Sequence, residues 1–249
     1  MKQFALLITV SLTLGSTALS QQQDSLQAAK RQQEHLNVYR RSLQYDDVYS
    51  AAYAVTNYLL AGGSDTFRDS LAIIYYRTGN LSGSYKLAKE IYDSNAKNIT
   101  ALTLLADISG RAGDAKTSLD WYEKLCPLAP NPYNYYQLAT RQFVLERIGE
   151  CRATLQKVVS DTAKARQEQV ALEIIPGRSE NVPVIAAAYN MLGALAVRDK
   201  KEDEAKKFYE LAMKEYPDFI IARQNLEGLK QAANGSKAPS KAPATKPKS

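Results

Sequence analysis

Gly79 and Gly113 stand 34 residues apart, and the chain around them aligns without a gap. Leu71 falls on Leu105, Ala72 on Ala106, Ser84 on Ser118, Ile91 on Leu125 and Ala96 on Pro130. An internal period of this length constrains the fold more than any single motif does. Each copy is one supersecondary unit that cannot bury its apolar face alone, so neighbours must stack. The clearest copy comes last: "AYNMLGALAVRDKKEDEAKKFYELAMKEYPD", residues 188–218, carries Tyr189, Leu192 and Gly193, then Ala205, Tyr209 and Ala212, then Pro217. A short motif recurs with the period: "RTGN" from Arg77, "RAGD" from Arg111 and "RIGE" from Arg147.

Every copy follows one physical logic. Apolar residues at helical spacing, such as Leu71, Ile74 and Tyr75, give an amphipathic helix. Glycine then ends it in a left-handed conformation that costs glycine little. A second amphipathic helix returns, with Ser84, Ser118 or Ala205 where the two must approach closely. Long stretches without glycine (12 in all) or proline (9) support helices over a turn-rich β fold.

On these residues the chain resembles the tetratricopeptide repeat (TPR) family: 34 residues, helix–turn–helix, an aromatic followed by Leu-Gly, then Ala, Tyr and Ala in the second helix, and a closing Pro. The resemblance implies an all-α helix–turn–helix repeat solenoid, a right-handed superhelix of about four to five hairpins with a C-terminal capping helix. Copies are expected near 65–98, 98–131, 132–173 and 186–219. A degenerate unit covers 45–63, an N-terminal helix 21–45, and a capping helix 219–232, so the array spans 46–232. In the third copy two anchorings compete, one on Gly149 and one on Tyr135, Leu138 and Ala139. Apolar packing fixes a helix face more firmly than its end, so the second is preferred, with a first helix about one turn longer than in the other copies. The second helix of that copy is expected to reach residue 173, and "IIPGRSENVP", residues 174–183, is expected to be a loop.

The family resemblance also implies a concave groove, lined by first helices, that holds a segment of another protein. By repeat position its residues are Asp69, Ile73, Tyr76 and Arg77, then Thr103, Asp107 and Arg111, then Asn190, Ala194, Val197 and Arg198. Tyr136 and Phe143 join them under one anchoring only, and the alternative role for Tyr76 and Phe143 is partly core. Asp69 and Ile73 occupy two places where a carboxylate-gripping subclass carries Lys and Asn, which argues against capture of a C-terminal tail. The recurring arginines either stabilise helix C-termini or form a ladder suited to acidic partners.

Outside the array, residues 1–20 combine Lys2, an apolar run from Phe4 to Leu14 and small residues at 18–20. That is the grammar of a secretory signal peptide, and it implies an exported, periplasmic or secreted protein, soluble once the leader is removed. No later run approaches the roughly 18 apolar residues of a membrane span. The net charge of +6 owes one unit to Lys2 and four to Lys237, Lys241, Lys246 and Lys248. The basicity therefore belongs to a Lys/Pro/Ala tail, residues 233–249, expected to be disordered. A nucleic-acid partner is not implied.

Chemistry is sparse. The one histidine, His35, sits in a Gln-rich helix with no nucleophile tied to it. No zinc spacing, phosphate loop or nucleophile elbow is present, so no catalytic residue, metal or cofactor is expected. Cys126 and Cys151 are expected near opposite ends of the helical layer, about 20 Å apart by helical rise, too far for a disulfide. Two free thiols follow. The expected function is a non-catalytic scaffold or adaptor in the cell envelope. The alternative is a tethering protein whose basic tail contacts anionic envelope or cell-wall polymer. Glycan binding has only the 16 tyrosines in its favour, most of them at packing positions.

Overall fold

In the computed structural model the backbone is described from Lys2 to Gly235 and side chains for residues 21–232. The signal-peptide reading rests on side chains outside these described residues, and the tail beyond Gly235 lies outside them too. The chain forms two compact units, residues 1–112 and 113–249.

The first unit holds α1 (Lys2–Gln44), α2 (Val48–Leu60), α3 (Phe67–Arg77), α4 (Leu81–Ser94) and α5 (Ile99–Arg111). α1 pairs with α2 and α3 with α4, and α4 and α3 both pack on α5. α1 and α2 thus form an N-terminal helical hairpin. The second unit holds α6 (Ala115–Leu128), α7 (Pro132–Val144), α8 (Ile148–Ser160), α9 (Thr162–Gln167), β1 (Gln169–Ile175), β2 (Arg178–Pro183), α10 (Val184–Arg198), α11 (Glu202–Glu215) and α12 (Ile220–Gly235). Here α7 pairs with α8 and α10 with α11, and α12 packs on α11 as the expected closing helix.

Asp46, Gly79, Gly113, Glu146 and Lys200 take positive φ in turns between consecutive helices. They mark the repeat better than glycine does. Eight residues before the last four stand Leu71, Leu105, Leu138 and Leu192, all buried, and the next position holds Ala72, Ala106, Ala139 and Gly193. Five residues after each stand Ala51, Ser84, Ser118, Cys151 and Ala205, none of them exposed. The small side chain lets the returning helix close on its mate: Ser84 Oγ donates to the carbonyl of Ala72 at 2.8 Å. The residue after each left-handed position caps the second helix, and Asp47, Asn80 and Asp114 each accept from the backbone N–H three residues on.

The third copy is corrected by this frame. Leu138 and Ala139 are buried as the preferred anchoring requires, yet α7 has 13 residues, the same as α5. No extra turn exists, because the left-handed residue is Glu146 rather than a glycine. "RIGE" is thus not the equivalent of "RTGN": Arg147 is the N-cap position of α8, and Gly149 lies inside that helix. A non-glycine residue in this conformation costs about 1–2 kcal/mol. Lys200→Gly is therefore expected to raise stability by about 0.5–1 kcal/mol after the loss of unfolded-chain entropy, read as an increase in the urea midpoint at unchanged m-value.

Two further expectations fail between residues 160 and 183. The long second helix stops at Ser160, where Asp161 caps the six-residue α9. The expected loop is instead an antiparallel β-hairpin, with Val170 opposite Val182 and Leu172 opposite Glu180, turned at Gly177 (φ 79°). Val170, Leu172 and Ile174 alternate toward the protein, and Val170 and Val182 are buried in the core with Val184, Ile185 and Leu192. Three contacts lace this insertion in place. Glu168 accepts from the Tyr133 N–H at the start of α7 (2.6 Å), Arg166 makes a two-bond clasp to Glu215 of α11 (2.7 and 2.8 Å), and Glu180 accepts from the Ile220 N–H of α12 (3.3 Å). Phe219, wholly buried, plugs the same core.

Candidate functional site

The groove residues inferred from the sequence part into two groups. In the second unit most are consumed by the fold. Tyr136 is 5% exposed and belongs to the core, and burial pushes its hydroxyl well above the usual tyrosine range. Phe143 packs against the same cluster. Asn190 accepts from Asn225 of α12 at 2.9 Å, and Arg198 forms an ion pair with Glu146. Ala194 is half-buried; Val197 stays exposed. Placing Tyr136 in a groove was therefore wrong, because α7 turns that position under α8 and α10 rather than outward.

In the first unit the picture differs. Asp69 is a structural residue: both carboxylate oxygens accept from Asn98 Nδ2 (3.1 and 3.0 Å), while Asn98 Oδ1 caps α5 through the Ala101 N–H. Beyond that clasp, α3 carries Ile73, Tyr76 and Arg77 on one face, and α5 carries Thr103, Asp107 and Arg111 at i, i+4, i+8. Ile73 is 40% exposed, Arg77 and Arg111 are exposed, and the others are half-buried. The Arg111 guanidinium lies 4.8 Å from the centre of the Tyr76 ring, joining the two helices through a cation–π contact. Thr103 turns its hydroxyl back on the Ile99 carbonyl at 2.8 Å and leaves its methyl outward. The result is a surface of one apolar residue, one aromatic face, two arginines and one half-buried carboxylate, Asp107.

The arginine ladder does not form as a set. Arg147 is held by Glu123 and Glu150, Arg198 by Glu146, and Arg111 lies against Tyr76. Among the described residues no group of three His, Cys, Asp or Glu could hold a metal, and no helix is long and apolar enough to cross a membrane. His35 is half-buried on α1. Both cysteines are free and buried, Cys126 beside Leu125 and Cys151 at the close-approach position of α8.

Sequence reasoning missed one surface. Tyr45, Tyr49 and Tyr53, not singled out by the sequence, are 69%, 74% and 71% exposed. Their spacing of four, running into a helix α2 that has no charged residue, was the available signal.

Known structures share this arrangement of paired helices. A tetratricopeptide repeat protein from Parabacteroides merdae ATCC 43184 superposes with a TM-score of 0.63 at 15% identity, over 82% of this chain and 74% of that one. The fold is that of a tetratricopeptide repeat protein. MamA from Desulfovibrio magneticus RS-1 (residues 41 to the end) gives 0.59 at 14% identity, over 76% and 97% of the two chains. YrrB, described as a TPR protein with an unusual peptide-binding site, gives 0.59 at 12% identity, over 78% and 90%. No protein-family model and no curated protein sequence matches the chain. The likeness is thus one of fold, at low sequence identity.

Proposed function

We propose that this TPR protein is a non-catalytic scaffold that binds a segment of another protein across the α3–α5 face of its first unit. The observation that carries the reading is the Tyr76–Arg111 pair flanked by exposed Ile73 and Arg77. An aromatic ring already stacked by a guanidinium is a preorganised anchor, and Tyr and Arg are the residue types that dominate binding hot spots. Ile73 offers an apolar contact, and the two cations favour a segment bearing carboxylates. The fold neighbours support a binding role, since YrrB is described by its peptide-binding site. The leader-like residues 1–20 support an envelope or secreted setting, where the basic tail gives a secondary attraction to anionic polymer.

A photo-crosslinker at Ile73, used in the cells that make the protein, tests this. A defined protein is expected to be captured, and Arg77→Gln with Arg111→Gln should reduce its yield about 10- to 100-fold. Capture of nothing above background, or a yield indifferent to both arginines, overturns the reading.

A further inference from the structure

The insertion between α8 and α10, residues 161–183, writes one triplet twice. Glu168-Gln169-Val170 leads into β1, and Glu180-Asn181-Val182 lies in β2. Residues two apart in a strand share a face. Accordingly both valines are buried, both glutamates are half-buried, and Gln169 and Asn181 are exposed. The two glutamates are used alike. Glu168 Oε2 accepts from the Tyr133 N–H in the first turn of α7 (2.6 Å), and Glu180 Oε2 accepts from the Ile220 N–H that begins α12 (3.3 Å). Between them the Glu168 carbonyl accepts from the Val184 N–H that begins α10 (2.9 Å). The insertion thus lies on the starts of three helices, where backbone N–H groups lack intrahelical partners and the dipole favours a carboxylate.

What it covers is apolar. Val184, Ile185, Ala186, Ala187 and Ala188 are all fully buried, and at about 100° per residue they face every direction around α10. A helix start is buried all round only when something lies on its outer side. At the start of α3, by contrast, no residue from Phe67 to Ser70 is buried. The cover itself is lightly anchored. Of residues 161–183 only Ala165, Val170 and Val182 are buried, with Leu172 and Ile174 half-buried, and Ile175 near the turn is 56% exposed. Beyond these, the contacts to the three helix starts and the Arg166–Glu215 clasp tie it down.

The geometry points to a strap that fills a second docking surface from within the chain. Residues 161–183 lift as one unit, and the starts of α7, α10 and α12 then take an extended partner segment with a glutamate two residues before a valine. The chemistry of that segment is read from the resident occupant, since both strands present the same pair: carboxylate to a helix start, valine to the core. A segment with few buried apolar contacts opens before the helices beneath it, and a ligand of the open state binds in proportion to that state's population. The surface lies in the second unit and does not depend on the α3–α5 face, so either reading can fail without the other.

Native-state amide exchange of the unaltered chain, followed against denaturant, tests the opening. The amides of β1 and β2 and those of Tyr133, Val184 and Ile220 are expected to share one opening, with a smaller denaturant dependence than α8 and α11. Exchange of this set only through global unfolding overturns the proposal. A labelled peptide of residues 167–175 tests the docking. The parent should bind it weakly, and Glu168→Gln in the peptide should reduce that binding about 10-fold. In the chain, Glu168→Ala with Glu180→Ala should tighten peptide binding about 10-fold by populating the open state. Binding to the parent that is absent, or indifferent to the peptide's first glutamate, overturns the proposal, as does a folded double variant that binds no more tightly. The parent measurements decide the matter even where the double variant fails to fold.

Discussion

Native protein at pH 8 should give a thiol reagent almost nothing, and the unfolded protein should give two thiols per chain. Burial pushes the Cys126 thiol up to about 12 and the Cys151 thiol up to about 11, from an ordinary value of 9.0. The reactive species is the thiolate, so its fraction at pH 8 falls about 1,000-fold at Cys126 and about 100-fold at Cys151, before steric exclusion adds more. Reaction should therefore follow the unfolding transition as denaturant is raised. The same shifts fix a sign for stability. The folded-state thiols hold their protons more tightly than the unfolded ones, so this contribution is intact below pH 9 and is lost as pH rises past it. Rapid modification of one thiol in the native state would show that its helix opens locally. Absence of any thiol after unfolding without reductant would show that the two are oxidised.

Phe219→Ala should cost about 3–5 kcal/mol, the usual loss for emptying a fully buried aromatic site. The ring sits in the cluster formed by Val158, Val170, Val182, Ile185 and Leu192, and it packs 6.3 Å from Tyr216. It also stands directly before α12, with its carbonyl accepting from Arg223. Losing it removes both the plug of the core and the anchor of the closing helix. Against a domain stability of about 5–15 kcal/mol, the unfolding midpoint should fall by about 10–20 °C. Amide exchange should accelerate first in α12 and α10. Phe219→Leu, which keeps most of the volume, should recover more than half of the loss. A loss below about 1 kcal/mol for the alanine variant would mean that the β-hairpin and α12 hold the core without the ring.

The candidate surface was only half legible in the sequence. The face residues of α3 and α5 were found by repeat position, because Gly79 and Gly113 fix the frame of those copies without ambiguity. The same projection failed at Tyr136 and Asn190. There the inserted hairpin and α12 bring extra partners to α7 and α10, and positions that would otherwise face outward are filled. Cys151 shows the same difficulty from the other side. Read from "RIGE" it sits near a turn; read from Glu146 it is the small residue at the closest approach of two helices, equivalent to Ser84 and Ala205.

What the sequence alone determined is the repeating hairpin: the 34-residue period, the leucine and small-residue positions, the capping helix and the free thiols. These depend on local chemistry and short-range packing, which recur in each copy and so reinforce one another along the chain. Only the tertiary structure decided which exposed positions stay exposed. It showed that a negatively charged residue can take the left-handed place of glycine, because the hairpin it closes and the arginine it meets offset the strain. It turned residues 169–183 into strands, because a period-two pattern only seven residues long acquires meaning when Val170 and Val182 find a core beneath them. It also left Tyr49 and Tyr53 of α2 exposed while burying Tyr58, since an inward and an outward tyrosine look the same until the neighbouring helix is in place.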